Sequence, residues 1–268
     1  MKTAASPRVS ARQYLDDMVA GSRYTFTTSE ARAALNVSAA ALKVALNRLT
    51  RQRLIVTPAK SFYVIVPPEY RSLGCLPADQ FVPTLMKSLQ LPYYAGLLTA
   101  AQYHGAAHQR PQEFQVLLER ARRPIECGRV RIRFIVRKNL QKVPIQSFNT
   151  PRGTVQVSTP EATALDLVGY THHAGGLNQV ATVLAELAER IEPKALAAAA
   201  AAAPVPWAQR LGYLLELTGA SERVAALKDF VRARARESTL LLPKKPRGKA
   251  PRNEDWKLFL NTEVEVDL

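Results

Sequence analysis

Near the start of the chain, apolar residues recur at helical spacing in three successive bursts, each opened by a residue able to cap a helix. Ser10 precedes Tyr14, Leu15, Met18 and Val19, and Gly21 ends that segment. Thr27 with Glu30 three residues on has the capping-box spacing, with Ala31, Ala34 and Leu35 as inward positions and Asn36 as the breaker. Ser38 opens a third helix that reaches about Gln52. Leu42, Ala45, Leu46 and Leu49 share its inner face, and Ala40, Lys43, Val44, Asn47, Arg48 and Arg51 its outer face. Apolar runs at 54–56 and 62–66 flank Pro58-Ala59-Lys60-Ser61 and read as a hairpin. Three helices followed by a hairpin is the order of a winged helix-turn-helix.

Beyond Pro67-Pro68 the pattern loosens, and residues 71–80 read as a linker because adjacent prolines continue neither helix nor sheet. Helical spacing returns over 81–90 and again through Tyr93, Tyr94, Leu97, Leu98, Ala101 and Tyr103, stopping near Gly105. Strand-like runs follow at 114–118, 130–136 and 154–158. In the middle run Val130, Ile132, Phe134 and Val136 take one face, and Arg129, Arg131, Arg133 and Arg137 the other, with Ile135 the exception. Those four arginines form either a secondary basic surface or the wet face of a half-covered sheet. Thr159-Pro160-Glu161 starts a helix continued by Ala164, Leu165 and Val168, and helices are expected over 177–190, 193–203, 207–218 and 221–236. A Lys/Pro/Arg loop at 243–252 and a strand-like 263–268 close the chain. The expected fold is α+β: a winged helix-turn-helix over 1–70, the linker, and a C-terminal domain over 81–268. That domain is mixed to about residue 192 and mainly helical after it.

Charge sharpens this outline. The 268 residues carry a formal net charge of +15, and residues 1–75 hold 11 basic against 4 acidic side chains. Nearly half of the excess thus sits in the winged-helix segment, which points to a polyanionic partner, most simply double-stranded DNA. One helix fills a major groove, so Ser38, Ala40, Lys43, Val44 and Asn47 are the candidates for base edges. Asn47 suits adenine, whereas Arg48, Arg51, Arg53 and Lys60 suit phosphates. The opening eight residues lack a signal peptide's apolar run, and no apolar stretch of about 18 residues exists. A cytoplasmic protein without a membrane partner is expected.

Catalytic chemistry is not legible. His104 and His108 have i, i+4 spacing but no third ligand nearby, and His172-His173 follow a helix end. Cys75 and Cys127 cannot make a disulfide scaffold and lack a nucleophile motif. No phosphate-binding glycine loop, nucleophile elbow or HExxH motif occurs. A non-enzymatic protein with no cofactor and no metal is expected.

Tyr93-Tyr94-Ala95-Gly96-Leu97-Leu98-Thr99-Ala100-Ala101-Gln102-Tyr103-His104-Gly105 is similar to a motif of the AbiEi antitoxins of bacterial type IV toxin–antitoxin (abortive infection) systems. Ser158-Thr159-Pro160-Glu161-Ala162-Thr163-Ala164-Leu165-Asp166-Leu167 and the closing segment over 256–267 resemble that family too, in the same order. The resemblance implies an N-terminal winged helix that represses its own operon by binding inverted repeats in the promoter. It also implies a C-terminal antitoxin domain that counteracts a nucleotidyltransferase-like toxin. Two other readings remain at this stage. One is a winged-helix protein with a nuclease or nucleotidyltransferase centre built from Glu113, Glu119, Glu161 and Asp166. The other is a regulator whose C-terminal half senses a small molecule.

Overall fold

The computed structural model describes residues 10–106 and 112–266, so His108 and the last two residues of the closing segment lie outside the described residues. The chain divides into two compact units, the first formed by Met1–Leu91, Arg122–Phe134 and Asn149–Val155, the second by the remainder. The fold is α+β, as the sequence leads one to expect.

The first unit begins with helix α1 (Ala11–Ala20), capped by the Ser10 side chain on the Gln13 N–H at 3.0 Å. Strand β1 (Thr25–Thr27) runs directly into α2 (Thr28–Leu35). Both halves of the Thr27/Glu30 capping box form, and Asn36 ends α2 in the left-handed conformation at φ 49°. Helix α3 (Ala39–Arg51) follows, then β2 (Ile55–Ala59) and β3 (Phe62–Ile65). The turn at Lys60-Ser61 is tight, and a bulge between Val56 and Ala59 accommodates Pro58, which cannot donate to a ladder. The sheet order is β1-β3-β2, so the expected hairpin gains a third strand. This is the arrangement of a winged helix. Phe26 anchors it, fully buried, edge-on to Tyr14 at 5.5 Å and stacked on Tyr63 at 5.2 Å. Leu15, Met18, Ala31, Leu35, Leu42, Leu46, Leu49, Ile55 and Ile65 complete the core. Ala34 is exposed rather than inward.

The stretch at 71–80 is not an open linker. Cys75 and Leu76 are fully buried, and short 3-10 turns form at Pro68–Tyr70 and Ala78–Gln80 ahead of α4 (Val82–Ser88). Apolar side chains there have a core to join, which local proline content does not reveal.

In the second unit, β4 (Tyr94–Ala95) replaces the helical start expected at Tyr93-Tyr94. Tyr94 and Ala95 pair with Leu117 and Val116, and Ala95 also lies parallel to Val157, so sheet pairing overrides local helical spacing. Helix α5 (Leu97–Tyr103) and β5 (Phe114–Leu118) come next. The chain then supplies a hairpin of β6 (Ile125–Cys127) and the start of β7 (Val130–Val136) to the first unit, where β6 lies against β2. Strands β8 (Ile145–Thr150) and β9 (Gly153–Ser158) follow, and the second unit's strand order is β7-β5-β4-β9-β8.

Helix α6 (Pro160–Gly169) starts at Thr159, whose hydroxyl accepts from the Ala162 N–H at 3.4 Å. Every residue from Glu161 to Val168 is buried, which makes α6 the axis of this unit. Around it stand α5, α7 (Leu177–Leu187), α8 (Pro193–Ala200) and α9 (Val205–Leu217), with α10 (Ala225–Arg234) against α8 and α9. A small sheet of β10 (Thr239–Leu240), β11 (Arg252–Asn253) and β12 (Leu258–Phe259) carries the C-terminal segment, and no strand forms over 263–266. That segment is pinned by Trp256, fully buried, whose indole N–H donates to Glu216 Oε2 at 2.7 Å.

Gly212 of α9 lets Trp256 approach, because a Cβ there would lie 2.0 Å from the ring's Cζ3. Gly212→Ala is therefore expected to displace the indole and cost about 2–3 kcal/mol. Urea unfolding of the variant measures this, and a midpoint equal to that of the parent would refute the packing role.

Candidate nucleic-acid interface

Helix α3 carries the candidate surface because its apolar stripe is consumed by the core. Leu42, Leu46 and Leu49 are buried, while Ala40, Lys43, Val44, Asn47, Arg48 and Arg51 all face solvent. Ser38 is exposed, and its hydroxyl is engaged as the helix cap, accepting from the Ala41 N–H at 3.2 Å. It thereby also orients the first turn of α3. Arg53 adopts the left-handed conformation just past the helix at φ 56°, and Lys60 sits exposed at the tip of the wing.

Two properties distinguish this face from an ordinary solvated one. First, none of Lys43, Arg48, Arg51, Arg53 or Lys60 forms an ion pair among the described residues, whereas Arg12 and Arg23 of the same unit pair with Asp16 and Glu30. Second, Val44 is 70% exposed between those cations, the largest exposure among the large hydrophobic residues described. An uncovered apolar side chain flanked by Lys43 and Asn47 offers a thymine methyl a contact and the adjacent bases hydrogen-bonding partners. Arg48 and Arg51 also complement the negative end of the helix dipole, but Lys43, in mid-helix, has no such structural role.

The expected secondary basic surface is only partly present. Arg129 and Arg131 are exposed and Arg133 is half-buried with a partner, but Arg137 is buried at 4%. The alternation of β7 changes phase at Phe134-Ile135, where the strand passes from the first unit to the second and meets a different interior. Ile135 and Arg137 then point inward while Val136 is 42% exposed. Arg137 is consequently no DNA contact.

Arg137 instead ends in the core of the second unit. Its Nε donates to Asp166 Oδ1 at 3.0 Å, and its terminal nitrogens donate to the carbonyls of Lys138 at 2.8 Å and Ala202 at 3.0 Å. The guanidinium also lies 4.8 Å from the Trp207 ring centroid. Tyr94 completes the group by donating its hydroxyl to Asp166 Oδ2 at 2.6 Å. Burial pushes the Asp166 carboxyl upward, opposed by the Arg137 charge and the two hydrogen bonds. Burial and the Asp166 charge push the Tyr94 phenol well above its ordinary value. Tyr170, whose hydroxyl donates to the Val136 carbonyl, is pushed up to about 12 by burial and by Asp166.

Two residues of the resembling motifs, Tyr94 and Asp166, thereby acquire a structural role. His104, from the first motif, is held as well. Its Nε2 lies 2.7 Å from the Ser158 carbonyl and its Nδ1 3.4 Å from Gln146 Nε2, which assigns the proton to Nε2. Burial lowers its pKa. Among the described residues no three His, Cys, Asp or Glu side chains come together as a metal site. Of the four acids considered for a catalytic centre, Asp166 is tied to Arg137 and Glu161 accepts the Glu192 N–H at 3.0 Å.

Residues 94–217 match the family model described as the AbiEi antitoxin C-terminal domain. No curated protein matches the chain. Among solved structures, the RV2827C protein from Mycobacterium tuberculosis is similar in fold, with a TM-score of 0.64 at 16% identity over 92% of this chain and 90% of that one. Among the described residues, no helix is long and apolar enough to cross a membrane.

Asp166→Asn strands a buried guanidinium and is expected to cost about 3 kcal/mol in urea unfolding. Adding Arg137→Met should recover part of that loss, and no recovery would refute the coupling. Because folding lowers the pKa of His104, the stability it contributes is complete above about pH 6.5 and falls as the pH drops below it. His104→Gln should flatten the pH dependence of unfolding in that range.

Proposed function

We propose that the protein is the antitoxin of a type IV toxin–antitoxin system and a DNA-binding repressor of its own operon. It would bind inverted repeats in its promoter through the winged helix and counteract a nucleotidyltransferase-like toxin without catalysing a reaction itself. The observation that carries the DNA-binding half is the exposed face of α3, where Lys43, Asn47 and Arg51 stand beside an uncovered Val44 with no acidic group paired to the cations. The antitoxin half is supported by the match of residues 94–217 to the AbiEi antitoxin C-terminal domain.

In this reading Lys43, Val44 and Asn47 read base edges, and Ala40, exposed in the first turn, adds an apolar contact to a base edge. Arg48, Arg51, Arg53 and Lys60 neutralise phosphates and fix register. The antitoxin domain keeps its shape through the Tyr94–Asp166–Arg137 group, so its charge at the centre serves folding and not chemistry.

The decisive experiment is footprinting on the chain's own upstream region. Joint replacement of Lys43, Asn47 and Arg51 by Ala should abolish the specific footprint, a loss of at least about 100-fold, while circular dichroism stays unchanged. Undiminished binding by the folded variant would overturn the repressor reading. Lys60→Ala alone should weaken all duplexes alike and reduce the salt slope by about one unit. Co-expression with the neighbouring toxin gene tests the antitoxin half, and failure to restore growth would overturn that half.

A further inference from the structure

Two thiols that are far apart in sequence meet inside the first unit. The Arg129 N–H donates to the Leu73 carbonyl at 2.8 Å. Counting along the two segments in opposite directions from this bond sets Gly74 against Gly128 and Cys75 against Cys127. The glycines permit the approach. A Cβ on Gly128 would lie 2.3 Å from the Leu73 carbonyl oxygen and 2.8 Å from Gly74 Cα, and both glycines have positive φ, at 61° and 73°. The two backbones thus come together one residue before Cys75 and one residue after Cys127. Both cysteines are free and buried, with Cys75 at 0% and Cys127 at 6% exposure, and each thiol shifts the pKa of the other. The α3 surface and the Asp166 group use neither of them.

We propose that Cys75 and Cys127 are a modification site, a thiol pair that hydrogen peroxide closes to an intramolecular disulfide within the unit that carries the winged helix. The Cys127 sulfur attacks the peroxide oxygen, and the S–O bond forms as the O–O bond breaks. The departing oxygen leaves as water after taking the thiol proton, and Cys127 becomes a sulfenic acid. The Cys75 sulfur then attacks the Cys127 sulfur, and the S–S bond forms as the S–O bond breaks. A second water leaves with the Cys75 proton. Two thiols have lost two electrons and two protons, and the peroxide has gained them. The order of events follows from the opposite directions in which the neighbouring thiols shift one another. Cys75 lowers the Cys127 pKa, while Cys127 and then burial raise that of Cys75. The product ties the segment after the wing to β6, which backs wing strand β2.

The test uses the full chain treated with hydrogen peroxide, then intact mass and differential alkylation with peptide mapping. The expected result is a loss of about 2 Da, with one linked peptide pair that dithiothreitol reverses. A rise in Tm of about 5 °C that dithiothreitol also reverses should accompany it. In Cys75→Ser, Cys127 should stay trappable as a sulfenic acid by dimedone, and Cys127→Ser should lose the reaction. Two thiols still alkylatable after oxidation, linked dimers alone, or Cys127 oxidised to a sulfinic acid without linkage would each overturn the proposal. The mass of the unmutated protein decides the question even if a serine variant fails to fold.

Discussion

A carboxylate in the middle of a helix that is buried on every side must be answered from all directions, and the larger unit is organised around that requirement. Asp166 cannot reach water, so the fold brings it a phenol from β4 and a guanidinium from β7, and the spare donors of that guanidinium reach carbonyls at Lys138 and Ala202. Strand order, the inward turn of β7 and the end of the alanine-rich helix are thereby tied to one another. Removing either charge alone leaves the other stranded, which explains why an ion pair of modest net stability can still select one arrangement of strands and helices.

The winged helix obeys the opposite rule. Its core is apolar and aromatic, built on Phe26, and the cations of α3 and the wing tip form no ion pair among the described residues, unlike Arg12 and Arg23. Charge without a counter-charge is costly to the folded chain through self-repulsion and is available to solvent or to an external anion. The two units thus use arginine in contrasting ways. Arg137 is consumed by the fold, and Arg48 and Arg51 are left outside it.

Caps and periodicity made most helices legible. Ser10, Thr27, Ser38 and Thr159 each cap the helix that the spacing predicts, because capping is a local interaction decided within four residues. Elements whose cause is distant were not legible. Tyr93-Tyr94 has helical neighbours but pairs with β5, and the short strand β1 forms only because β3 lies beside it. Arg137 read as surface because alternation was extended through a point where the strand changes interiors, and Ile135 was the one visible sign of it. The outer face of α3 followed from periodicity alone. The Asp166 partners and the meeting of Cys75 with Cys127 are products of topology, and no local pattern announces them.

The smaller unit is also discontinuous in sequence: the chain leaves it at Leu91, returns for Arg122–Phe134 and returns again for Asn149–Val155. β6, which comes from the first of those returns, shields the flank of wing strand β2. A gene fragment ending after the third helix and hairpin would encode a body with an unprotected edge, open to pairing with other chains. The head of this protein is therefore not a cassette that a single recombination event can lift onto another scaffold. Its evolution is bound to that of the sequence threaded through it.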